Sequence, residues 1–66
     1  MIKRKQHYFN DGSSIIVYEH GPKNFSAIDG DNATDPLYPV GWGDYEYGAM
    51  IDLMNQMRER GLCEEI

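Results

Sequence analysis

A chain of 66 residues with eleven acids, six bases and one cysteine carries a formal charge of −5. That length admits one domain with one small core, which hides only about 60% of the surface its unfolded form exposes. A lone cysteine excludes an intramolecular disulfide. No Cys/His set has zinc spacing, and no apolar run is long enough for a membrane span or placed as a signal-peptide core. The expectation is a cytoplasmic chain that is not exported, either a monomer or a weak homodimer that relieves the small core.

The first ten residues lead through Lys3, Arg4 and Lys5 to Tyr8-Phe9 and then Asn10-Asp11-Gly12. That tripeptide suits either a type I turn closed by a left-handed Gly12 with a bulge, or a two-residue Asp-Gly turn. In the two-residue register Arg4 lies opposite Glu19 and Tyr8 opposite Ile15; the bulged register shifts these partners by one. The second strand covers 14–20. Its centre, Ile15-Ile16-Val17-Tyr18, is apolar on both faces, which predicts a central strand with something covering each side. Gly21-Pro22 breaks it, because Pro22 has no N–H for a ladder. Residues 25–28 form a third strand that completes an antiparallel meander.

Residues 29–43 lack clear periodicity and mix glycine, proline and acids with Leu37, Tyr38, Val40 and Trp42. A connection this long in so small a domain is expected to be functional or to fold over the open sheet face as a lid. It leaves room for a short fourth strand around 37–40. Residues 44–62 then read as an amphipathic helix. At 100° per residue Tyr47, Met50, Ile51, Leu53, Met54 and Met57 share the expected buried side, and Gly48, Asp52, Asn55, Gln56 and Glu59 the solvent side. Asp44 is placed as N-cap and Glu46 in the positive first turn. Arg58 and Arg60 sit in the last turn, and Gly61 is placed for a left-handed stop with Leu62 folding back. The tail from Cys63 is expected to fray. The predicted fold class is α+β, a single domain over 1–66, with a three-stranded antiparallel meander and one C-terminal helix packed on one face.

Chemistry is sparse. Asp29, Asp31 and Asp35 begin like a calcium loop. The pattern then fails at Ala33, at Thr34 where glycine belongs, and at Val40 where a bidentate glutamate belongs. An Asp/Asn-rich turn is the better reading. His7 and His20 fall on the same sheet face in the two-residue register, but at opposite ends of the hairpin. Cys63 sits in an acidic tail that disfavours its thiolate. No catalytic residue, metal or cofactor is therefore expected, and the chain reads as a non-enzyme. Met50, Met54 and Met57 read as core, and Trp42 is read as inserted into the core beside the helix start, ahead of a role as an interface anchor.

The informative asymmetry is charge. Between Lys23 and Arg58 there is no base, while Asp29, Asp31, Asp35, Asp44, Glu46 and Asp52 all fall there. Such a domain is repelled by nucleic acid and attracted to basic protein surfaces, although acidity also serves solubility alone. In length, acidity, one-domain economy and this base-free middle, the chain resembles the small acidic inhibitors that bacteriophages direct against their hosts, above all anti-CRISPR proteins. The resemblance implies a DNA mimic in the host bacterial cytoplasm. Asp29, Asp31, Asp35, Asp44 and Glu46 would stand in for phosphates on a basic surface of an RNA-guided surveillance complex, with Tyr38, Trp42 or Tyr45 as anchors. The alternative is a non-mimetic regulator that binds through an exposed edge of the third strand or through the helix.

Overall fold

The computed structural model describes residues 2–62. Strands β1 (Lys3–Tyr8), β2 (Ser14–Gly21), β3 (Asn24–Asp29) and β4 (Gly41–Gly43) form one antiparallel sheet in chain order. Helix α1 (Glu46–Glu59) packs on one face, and a single 3-10 turn, Gly30–Asn32, follows β3. The α+β architecture is the expected one. The fourth strand is real but lies at Gly41–Gly43, not at 37–40, where buried Pro39 has no ladder donor to offer. Over Phe25–Ala27 it pairs with β3, so the third strand is not the exposed edge expected of it.

The first hairpin takes the bulged form. Phe9 N–H donates to the Ser13 carbonyl at 2.9 Å, Gly12 N–H donates to the Phe9 carbonyl at 3.1 Å, and Gly12 has φ +90°. The register is therefore Lys3 opposite Glu19 and Tyr8 opposite Ser14. That shift by one residue decides which side chains face the helix. The second turn is the two residues Pro22-Lys23. Lys23 takes φ +58°, a position where glycine is the usual occupant.

Ile15 and Val17 of β2 and Ala27 of β3 face the helix and form the core with Ala49, Met50 and Leu53, flanked by Phe25 and Met57. Ile16, on the opposite face, is equally buried although no helix covers it. Its cross-strand neighbours Gln6 and Ile28 enclose it. The 29–43 connection is not the lid expected over that open face. Tyr38 instead lies beside Met54 and Met57 on the helix side, and Leu37 is 83% exposed.

The helix is present, but its buried side is rotated from the expected one by roughly 70° at 100° per residue. Ala49, Met50 and Leu53 are buried, whereas Tyr47 (63%), Ile51 (51%) and Met54 are exposed. The cause is β4. A Cβ on Gly41 would lie 2.3 Å from the Ala49 carbonyl oxygen and 2.4 Å from Leu53 N; one on Gly43 would lie 2.6 Å from Ala49 N. Strand backbone touches helix backbone there, and only small residues fit such a contact. Asp44 does not cap the helix. Tyr45 holds the N-cap position, without a side-chain cap bond. The C-terminal stop is as expected: Leu62 N–H donates to the Met57 carbonyl at 2.8 Å, Gly61 N–H to the Arg58 carbonyl at 3.1 Å, and Gly61 has φ +72°. The expectations for Cys63 and the tail lie outside the described residues.

Candidate functional site

Three surfaces follow from this framework, and they divide the residues singled out in the sequence. The first is an open cleft of about 480 Å³ where the hairpin tip, the start of the 29–43 connection and the end of α1 meet. Phe9, Ile15, Tyr38, Met54, Met57 and Leu62 supply its apolar lining, and Asp11, Asp29 and Asp31 its charge. No Lys or Arg lines it. Asp29 is buried, with Asn32 Nδ2 donating to its Oδ2 at 2.7 Å. None of the described hydrogen bonds uses its Oδ1. Asp31 is exposed. Asp11 accepts the Ser13 hydroxyl at 2.6 Å and the Ser13 N–H at 3.0 Å, both on Oδ1. The hydroxyl first, and then the N–H, hold its carboxyl below the ordinary aspartate range. Exposed Asp35 lies in the same connection and accepts the Leu37 N–H at 3.0 Å.

The other acids do not join this group. Asp29 lies opposite Ile15 and Gly43 opposite Phe25, so β3 separates the cleft from the turn that carries Asp44 and Tyr45. Both of those residues are exposed. Glu46 is half-buried and bound to His7, which fastens the start of α1 to β1. Of the eight residues expected to meet a partner, Asp29, Asp31 and Tyr38 share one cleft with Asp35 in the same connection. Asp44, Tyr45 and Glu46 belong to the other end, and Trp42 to another face.

The second surface is that open sheet face. Trp42 is 55% exposed and stacks on His20 with ring centroids 5.5 Å apart, so it is not inserted into the core beside the helix start. Tyr18 lies 6.3 Å beyond His20, whose Nε2 is 2.7 Å from the Ser26 hydroxyl. Trp42 points away from the helix because its glycine neighbours on either side must face it. The bulged register also separates the histidines, placing His7 on the helix side and His20 on the open face.

The third surface is the pair of sheet edges, and both are guarded. The outer edge of β1 carries Lys3, Arg4 and Lys5. On β4, the Trp42 N–H is taken by Asp52 Oδ2 at 3.0 Å, and the adjacent Val40 carbonyl by Gln56 Nε2 at 2.8 Å. Asp52 and Gln56 were expected on the solvent side of the helix; they face the sheet edge instead. Sequence reading missed these two roles and that of Asp11. Only the hairpin register and the Gly-Trp-Gly strand, once placed, reveal them.

Searches for a matching family model, a similar curated protein and a similar solved structure each found none. Among the described residues no helix is long and apolar enough to cross a membrane.

Proposed function

We propose that this chain is a non-catalytic binding protein that acts by surface competition, presenting its acidic cleft end to a basic, nucleic-acid-holding surface of another protein. The observation that carries this reading is the grouping of Asp11, Asp29, Asp31 and Asp35 where no Lys or Arg side chain lines the cleft and no salt bridge among the described residues neutralises them. Uncompensated charge beside apolar surface attracts a cationic partner and gives it something to pack on. Lys3, Arg4 and Lys5 lie on β1 and Lys23 in the second turn; Arg58 and Arg60 stand at the helix end beside the cleft without lining it, and Arg60 Nη1 donates to the Leu37 carbonyl at 3.2 Å. This is the anti-CRISPR-like inhibitor reading, narrowed from the whole acidic middle to one end of the molecule and set in a bacterial cytoplasm. Strand addition is the weaker alternative, because Lys and Arg guard one edge and helix side chains the other.

Two variants that each raise the net charge from −5 to −3 test the reading. Asp31→Asn with Asp35→Asn removes two charges near the cleft while keeping oxygen acceptors; Asp44→Lys changes the charge equally at the other end. In affinity capture from bacterial lysate at low salt, the asparagine pair is expected to weaken retention of the captured protein about tenfold, roughly 1.4 kcal/mol. Asp44→Lys should weaken it far less. Equal losses would make net charge the cause and remove the site.

A further inference from the structure

Building on that reading, we infer that the cleft is a receptor for one arginine side chain of the basic partner surface. Its volume, about 480 Å³, is within the range of small-ligand sites. Its lining divides as a guanidinium on an aliphatic stem requires. Ile15, Met54, Met57 and Leu62 offer apolar surface to the methylenes, and the ring of Phe9 offers a face to the planar cation. Asp29 and Asp31 offer carboxylates.

Asp29 is the more telling of the two. A carboxylate is seldom buried without full pairing. This one is 8% exposed and held by Asn32 through Oδ2; because no buried side-chain oxygen among the described residues lacks a partner, its Oδ1 is the atom left open, on a residue that borders the cleft. An arriving guanidinium would donate to the remaining Oδ1 and to the Asp31 carboxylate, a forked, charge-assisted contact that a lysine ammonium matches poorly. Asp11 adds charge at the hairpin tip, but its Oδ1 is already occupied by Ser13.

The occupant is identified by charge complementarity, and the chain's own basic surface is the β1 edge, which a second copy would present. A titration separates these cases. The protein is labelled with nitrogen-15 and titrated with the capped tripeptide Gly-Arg-Gly, with its citrulline counterpart, which keeps the shape and loses the charge, and with Gly-Lys-Gly. A single side chain binds weakly, with Kd on the order of millimolar. The expected result is saturable shifts of the amides of Phe9, Asp29, Asp31, Asn32 and Tyr38 with the arginine peptide, weaker by several-fold with lysine and absent with citrulline.

Asp31→Asn should weaken binding about tenfold. Met54→Trp, at an exposed helix position that borders the cleft, should block it by filling the space without altering charge. Asp44→Lys should leave it within about twofold. Citrulline binding as well as arginine, or shifts scattered over Lys23 and Asp44, overturns the inference. So do shifts of the same amides on concentrating the protein alone, because the occupant is then a second copy. These outcomes are independent of capture: a protein that ignores the arginine peptide yet loses its captured partner in the Asp31/Asp35 pair keeps the binding reading and loses only the arginine receptor.

Discussion

The carboxylate of Asp52 accepts the backbone N–H of Trp42 at 3.0 Å, joining the middle of α1 to the outer edge of β4. The same oxygen receives Gln56 Nε2 at 3.0 Å, and Gln56 also donates to the Val40 carbonyl. A helix therefore supplies the partners that a fifth strand would otherwise provide. Asp52→Ala leaves the Trp42 N–H without its acceptor and is expected to destabilise by about 1–2 kcal/mol in urea denaturation. Asn55→Ala, on an exposed part of the helix, should change stability by less than about 0.5 kcal/mol. Equal effects would show that the edge bond contributes nothing.

The strand-to-helix contact makes a sharper demand. Gly41→Ala sets a methyl within 2.3 Å of helix backbone, which cannot yield without moving β4 or α1 as a body. The expected loss is about 3 kcal/mol or more, enough to unfold much of a domain this small at room temperature. Gly21→Ala, with nothing within 4 Å of the added carbon, should stay within about 1 kcal/mol of the parent. Thermal melting of the pair distinguishes a contact requirement from a general intolerance of larger residues.

Helix phase is tested by two truncations. Leu53 is wholly buried and Ile51 is half exposed. Leu53→Ala is expected to cost about 2–5 kcal/mol and Ile51→Ala well under 1 kcal/mol. On the side assigned from hydrophobicity alone both would be severe, so similar losses would restore that assignment.

That difference shows what the sequence could convey. Gly61 followed by Leu62 announced the helix stop, and Asn10-Asp11-Gly12 announced a hairpin with two registers, of which the structure takes one. Both signals act within a few residues through backbone geometry. The buried side of the helix misled because its closest contact is with glycine backbone, where the fitting residue is Ala49. A pattern scored by hydrophobicity follows large residues, and Tyr47, Ile51 and Met54 drew it away. The acidic middle was plain as composition, but its division into a cleft end and a helix-start end depends on the β2–β3 and β3–β4 registers. Asp11 entered the site through the hairpin register, from outside the base-free stretch altogether.

The Asp11 carboxyl offers a check on the hairpin tip. Its depressed value in the folded state means that its contribution to stability is present above the ordinary aspartate value of 3.8 and is lost as the pH falls through the lower folded value. Ser13→Ala removes the largest cause, the hydroxyl donor, and keeps the N–H. The Asp11 titration, followed by carbon-detected NMR, is expected to move upward toward 3.8 while the folded fraction at pH 7 changes little. An unmoved midpoint would mean that the hydroxyl does not govern this carboxyl.

The central claim is that the acidic cleft end occupies a surface meant for nucleic acid, and competition tests it most directly. The chain is immobilised, a bacterial protein is captured on it at low salt, and a short DNA duplex or structured RNA is added at increasing concentration. The account expects nucleic acid to release the captured protein, and retention to fall steeply between about 50 and 500 mM salt, as it does when several charge contacts are screened. A captured protein that stays bound under saturating nucleic acid and is indifferent to salt would contradict the account and favour an apolar or edge-pairing interface away from the cleft.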